Sequence, residues 1–237
     1  MAFIVGYYGS RTLRGNFAAW NDKSLIDGYI AGDLAGNLMF ISHVLLAVVV
    51  VLGGLVQLVP AIRKHAINVH RWNGRVFLAV SSFLALGGLW LTFGRGTALS
   101  TVSAIATAIN ALLILVFAGL AWRYARRRQI DLHRRWALRT FMVVSGVWFI
   151  RIGLMGWIII NQGPVGMNRT LSGPADIAIV FGSYLIPLAV LEVYLRAKRS
   201  TRALQKALAV GVVGLSTAFT AVGVFGAIVL LWLPDLK

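Results

Sequence analysis

The chain has no cysteine, and it has only 7 acidic residues against 23 basic ones in 237 positions. The missing thiols exclude disulfides, thiolate-bound metals, iron–sulfur clusters and cysteine nucleophiles. There is no HExxH pair, no phosphate-cradling glycine loop, no Ser/His/Asp spacing and no pair of carboxylates inside an apolar run, which argues against ordinary hydrolase chemistry and proton-driven antiport. Whether the chain is an enzyme of another kind is left open. Any metal or haem would be held by the four histidines, His43, His65, His70 and His133, with methionine as a further donor.

What is abundant is apolar surface. Hydrophobic residues make up 59% of the chain, and the mean hydropathy is +0.80, where a soluble domain has roughly 45–50% apolar residues. Several stretches exceed the ~18 residues that read as a membrane span. Six spans are expected: Met39–Val59, Val76–Phe93, Thr101–Trp122, Thr140–Ile160, Ala175–Leu195 and Ala207–Leu233. In lipid the backbone must satisfy itself, so the fold class is all-α, a polytopic transmembrane helical bundle. Residues 39–237 form the bundle as a single domain. Residues 1–38 are an N-terminal interfacial segment, with Phe17, Trp20 and Tyr29 at headgroup level, or the remnant of a first helix ending near Gly9, which would make seven spans.

The formal charge of +16 would suggest nucleic acid in a soluble protein. Here it is sorted by loop instead. Arg63, Lys64, Arg71 and Arg75 follow span one. Arg123, Arg126, Arg127, Arg128, Arg134, Arg135 and Arg139 follow span three. Arg196, Lys198, Arg199, Arg202 and Lys206 follow span five. These are 16 of the 23 basic residues, all on one side, whereas the opposite connections hold only Arg95 and Arg169. The positive-inside rule makes the basic loops cytoplasmic and places the protein, multi-pass, in a bacterial inner membrane. No nucleic-acid partner is expected. The anionic headgroups of the cytoplasmic leaflet are, and a partner in a larger membrane complex is a further reading.

Two near-copies of one signature begin two of the spans: His70-Arg71-Trp72-Asn73-Gly74-Arg75 and His133-Arg134-Arg135-Trp136-Ala137-Leu138-Arg139. Arginine and tryptophan at a helix end are ordinary interfacial anchors. Histidine is not, so His70 and His133 are the informative pair. At the helical period Gly74, Phe77, Ser81, Gly88, Thr92 and Arg95 share the His70 face. Thr140, Val144, Arg151 and Met155 share the His133 face if that helix runs unbroken. His43 lies near the outer end of span one, with Ala47, Val50, Gly54 and Gln57 on its face, as a ligand or in a helix–helix hydrogen bond. His65 is solvated in the loop. Arg151, inside span four, costs at least ~2.5 kcal/mol near the bilayer centre. It needs Asp176, Asp33, a haem propionate or a lipid phosphate, or else snorkels to the outer face. Glu192 is expected to pair with Arg196 four residues on, and Asn110 with a neighbouring helix.

From Ser42-His43 through Gly53-Gly54-Leu55-Val56-Gln57-Leu58, Arg63 and the two histidine signatures to Arg151, the chain resembles a bacterial family of predicted membrane proteins, the domain of unknown function 2306. The resemblance covers about His43 to Ile160. It implies a multispanning helical fold and a site at His43, His70, Arg75, His133 and Arg151, with no established activity. Members usually carry an apolar helix before the first histidine.

Three functions are weighed. The first is electron transfer through a b-type haem or at a quinone site. His70 and His133 would be the haem-iron ligands, and Arg75, Arg139 or Arg134 would pair with propionates. His43 and Arg151 would form an outer site, and four histidines with His65 poorly placed allow one haem rather than two. The second is binding or transport of an anionic lipid or small anion by Arg71, Arg75, Arg134, Arg135 and Arg139, with histidine as a titratable partner. The third is a non-catalytic subunit or assembly factor of a membrane complex.

Overall fold

The computed structural model describes residues 4–22 and 26–233. Among these there is no strand. A π-helical stretch Val5–Gly9 runs into α1 (Ser10–Leu13), and α2 (Leu34–Leu58) is joined to α4 by the short α3 (Pro60–His65). Then come α4 (Ile67–Leu89), extended by a π-turn Trp90–Gly94, α5 (Thr101–Arg126), α6 (Ile130–Val144), α7 (Gly146–Asn161), α8 (Pro174–Ala197) and α9 (Ala203–Gly226), which continues as a π-stretch Ala227–Trp232. Among the described residues five helices are long and apolar enough to cross a membrane, and α6 with α7, bent by 49°, passes the same test as a pair and makes a sixth if the pair is one span. The fold is therefore an all-α membrane bundle. Of the Met1–Gly9 run, residues 1–3 lie outside the described residues; the rest is helical and packs on α2.

Neighbours in sequence are neighbours in space. α2 packs on α4, α4 on α5, α5 on α6, while α8 lies against both α6 and α7, and α9 against α7 and α8. The central core joins Ala85 of α4, Ala111 and Ile114 of α5, Val143 of α6 and Tyr184 of α8. Small residues bring backbones together elsewhere, as expected where lipid supplies no hydrophobic drive between helices. The position of a Cβ on Gly156 of α7 is 3.3 Å from the Cα of Gly223 on α9.

Two sequence expectations change here. Span four is not one straight helix. α6 ends at Val144 and α7 begins at Gly146, with the 49° bend at Ser145 between them. The helical face drawn from His133 therefore ends at Thr140 and Val144 and does not continue to Arg151 and Met155. Trp20 is no headgroup anchor either. It is 3% exposed, packed with Phe40, Ile41 and Leu91 in a second core, and only Phe17 of the three aromatics is exposed.

The end of the bundle opposite the basic loops is held by Arg95, whose side chain is 4% exposed and lies 2.9 Å from Asp33. Its Nη1 donates to the carbonyls of Gly28 and Gly36, at 3.2 and 3.1 Å, and its Nη2 to Oδ1 of Asn37 at 2.7 Å. Asp33 also caps α2 by accepting from the Gly36 N–H. A Cβ on Gly36 would stand 2.7 Å from the Arg95 Nε, so glycine is what lets the guanidinium through. One buried arginine thus ties the segment before α2 to the end of α4.

Candidate functional site

The two signatures occupy the same place in their helices. His70 and His133 are each the fourth residue, of α4 and α6. Each donates its backbone N–H to the carbonyl just before its helix, His70 to Ala66 at 3.1 Å and His133 to Gln129 at 2.9 Å. Both are half-buried, and they come within electrostatic reach of one another, with Arg63 also near His70.

Their ring nitrogens differ. Nδ1 of His133 lies 2.9 Å from the Ala121 carbonyl of α5. A carbonyl can only accept, so Nδ1 carries the proton, which leaves Nε2 as the nitrogen able to present a lone pair in the neutral ring. Nδ1 of His70 is buried without a hydrogen-bond partner. The backbone around His70 is fixed from α2, where the Gln57 amide donates to the His70 carbonyl at 2.9 Å. One turn on, Asn73 donates to the Gly53 carbonyl at 2.7 Å. Next to it, Phe77 of α4 and Phe141 of α6 close over Gly54, where a Cβ would come within 3.1 and 2.9 Å of their rings. Three helices, α2, α4 and α6, therefore meet at Gly54.

The arginines of the two signatures are not equivalent. Arg75 is exposed and lies over the Trp72 ring, 5.0 Å from its centroid. Trp72 is itself 66% exposed, so this pair has the form of an interfacial anchor. Arg139 also lies over its tryptophan, Trp136, at 4.4 Å. It turns inward, however, and grips Glu192 of α8 with Nε at 2.6 Å and Nη2 at 3.0 Å. Glu192 thus pairs across helices rather than with Arg196 along its own.

His43 stands across the bundle from the pair. Its ring packs into the notch left by Gly87 and Gly88 of α4, where added Cβ atoms would lie 3.7 and 3.4 Å from it, and its Nδ1 is buried without a partner. The 14 residues from His43 to Gln57 on α2 amount to about 21 Å of helix at ~1.5 Å per residue. Arg151 is exposed on the bundle surface. Its Nη1 donates to the Val147 carbonyl of its own helix at 2.7 Å, and Tyr8 lies within electrostatic reach. Neither expected carboxylate serves it. Asp33 goes to Arg95, and Asp176, fully buried, accepts from the N–H groups of Asn168 and Gly173. Among the described residues His43 and Arg151 share no hydrogen bond or ion pair, and no group of three or more His, Asp or Glu is placed to hold a metal ion. His65 is exposed.

Sequence reasoning missed the Arg95 clamp and the Arg139–Glu192 bridge. The one available signal was scarcity: with 7 acids in the chain, a carboxylate near a membrane span is worth tracing to a distant partner. It did not single out Tyr184, whose buried hydroxyl has no partner. The Ser81 hydroxyl on the His70 face is likewise unpartnered, and Asn110, expected to bond to a neighbouring helix, has its Oδ1 buried without a partner.

A helical bundle of five apolar helices and one bent pair, with its arginine-rich connections at one end, defines a polytopic membrane protein. The chain belongs to the family of predicted membrane proteins carrying the domain of unknown function 2306, whose model matches residues 40–195. That match takes in all four histidines. No curated protein and no solved structure matches the chain.

Proposed function

We propose that this is an electron-transfer protein of the bacterial inner membrane, with its basic loops cytoplasmic. In this reading His70 and His133 hold one flat redox group, a b-type haem or a quinone ring, at the basic end of the bundle. The observation that carries it is the state of the two imidazoles. They come from different helices and lie within electrostatic reach of one another. One has its Nδ1 proton committed to a backbone carbonyl, the arrangement by which ligating histidines fix tautomer and ring direction. The other has a buried nitrogen with no protein partner, a state that costs free energy unless something meets it.

A haem held between two imidazoles exchanges one electron at a time. The chain's own part is to hold the rings: Ala121 orients His133, while Gln57 and Asn73 fix the first turns of α4. Arg139 is committed to Glu192, so Arg134 and Arg63 are left as cations for an acidic edge of the group. His43, about 21 Å along the helix, belongs to no common site with this pair.

The test is the visible spectrum of protein purified from haem-replete cells, together with mass spectrometry of the organic extract. A Soret band that disappears in His70→Ala and in His133→Ala, and survives in His65→Ala, supports haem. A quinone that co-purifies with the wild type and is lost in the same two variants supports the quinone form. Colourless protein with no quinone sinks the reading.

A further inference from the structure

The basic end of the bundle also carries a cleft between α6 and α8 that the histidine reading does not use. It is half open, about 180 Å³ in volume, and lined by Arg135, Arg139, Glu192, Leu195, Arg196 and Arg199. Four guanidiniums face one carboxylate there. Glu192 offsets a single charge, so the cleft keeps a net charge of +3.

The cleft is built rather than a chance crowd of loose side chains. The bidentate bridge to Glu192 and the stack on Trp136 hold Arg139 at its wall. Trp136 is backed in turn by Phe117 of α5, with ring centroids 5.3 Å apart. Arg196 and Arg199 stand on the last turn of α8 and just beyond it, and both are exposed. Leu195 adds an apolar wall. The cleft lies at the end of α8, a helix long and apolar enough to cross a membrane, and the ends of such helices belong to the headgroup region.

We propose that this cleft binds a phosphate group, with Arg135, Arg196 and Arg199 as its donors and Arg139 as a fixed positive wall. Arginine forks match phosphate oxygens two at a time. The volume is below the ~300 Å³ at which small-molecule sites begin, so it takes a headgroup rather than a whole metabolite. An anionic phospholipid supplies such a phosphate from the leaflet that the basic loops face, with its acyl chains left on the bundle surface. Free inorganic phosphate supplies the same chemistry from water. The inference is independent of whether His70 and His133 hold a redox group.

The experiment is native mass spectrometry of the full chain in mild detergent, titrated with phosphatidylglycerol and, separately, with phosphatidylcholine. Wild-type protein retains discrete phosphatidylglycerol adducts and few of phosphatidylcholine. The double variant Arg196→Gln, Arg199→Gln binds phosphatidylglycerol at least ~tenfold more weakly, the loss of two charge-assisted guanidinium–phosphate contacts. The double variant Arg127→Gln, Arg128→Gln removes the same charge from the exposed turn after α5 and binds as the wild type does. Inorganic phosphate is added in a further arm. Displacement of the lipid at millimolar phosphate assigns the cleft to phosphate of either source, and persistence of the lipid assigns it to the headgroup. Equal weakening in the two double variants, or equal retention of both lipids by the wild type, overturns the proposal.

Discussion

Arg139 of α6 and Glu192 of α8 form a two-bonded ion pair, 2.6 and 3.0 Å long, across the end of the bundle where the basic loops gather. Their side chains are 20% and 30% exposed, so the bridge lies between the exposed pairs worth about 1 kcal/mol or less and the buried ones whose breaking costs ~3 kcal/mol or more. Glu192→Gln is expected to destabilise the bundle by about 1–2 kcal/mol, and Arg139→Lys nearly as much, because an ammonium cannot make the fork. Thermal unfolding in detergent reads both. A midpoint in Glu192→Gln equal to the wild type's means that α6 and α8 do not depend on the bridge.

Arg95 performs the corresponding task at the other end, with more bonds and less water. Arg95→Met removes its hydrogen bonds to Gly28, Gly36 and Asn37 and its ion pair with Asp33. The segment before α2 then keeps pairings such as the Tyr29 N–H on Asn21 and the Ile30 N–H on Asn37, with Trp20 and Tyr29 still packed in the second core. Hydrogen bonds to a charged group are worth ~1.5–3 kcal/mol each, so exchange at the Tyr29 and Ile30 amides should accelerate at least tenfold. Amides in the middle of α5 should not change. Uniform acceleration across both regions would mean that the variant unfolds globally and that the clamp is not local.

These two arginines mark what the sequence could and could not convey. Long apolar runs identify five of the crossings, since hydropathy reports burial in lipid without knowledge of neighbours, but they do not show that α4 begins at Ile67, ahead of the expected Val76, with Arg71 and Arg75 inside the helix. The sixth run, Thr140–Ile160, reads as one apolar span carrying Arg151, and its signal of a break is the Ser145-Gly146 pair, since serine–glycine pairs are, like proline, places where helices kink. The 49° bend falls at that pair, where Gly146 is closely approached by Asn110 of α5 and Tyr184 of α8; its size is what the sequence did not display. The shared helical position of His70 and His133 was legible because the signature repeats. The different fates of Arg75 and Arg139 were not, because Arg139 faces Glu192 on α8 while Arg75 lies on an exposed face of α4, and only the fold decides that. Glu192 failed because a local i,i+4 rule competes with Arg139, 53 residues away. Arg151 failed in the opposite sense, since distant carboxylates were expected and its bond goes to Val147 on its own helix while Asp33 goes to Arg95.

The contact of α7 with α9 rests on glycine in a way that one added methyl tests. A Cβ on Gly223 would come within 2.5 Å of the Ile152 carbonyl oxygen and collide with the Ile152 side chain. A backbone oxygen inside a helix cannot step aside as the tip of a side chain can. Gly223→Ala is expected to cost about 1–3 kcal/mol, the range for overpacking, read as a lower unfolding midpoint. Gly214→Ala, one residue type on the same helix with nothing within 4 Å of the new atom, leaves the midpoint unchanged or slightly higher. Equal losses in both would assign the effect to helix conformation instead of packing.

The absence of cysteine makes the proposed orientation open to a clean test. A single introduced thiol is the only one in the molecule, so labelling reports one position. Ser200 lies just past α8 in the third basic loop, and Ser172 lies in the opposite connection just before α8. Both are partly exposed. With 16 of the 23 basic residues on the Ser200 side, the positive-inside rule places that side in the cytoplasm. Ser172→Cys should react with a membrane-impermeant maleimide in intact spheroplasts, and Ser200→Cys only after lysis. The reverse pattern would invert the protein, carry His70 and His133 to the outer face, and move the arginine cleft to the leaflet that holds fewer anionic headgroups.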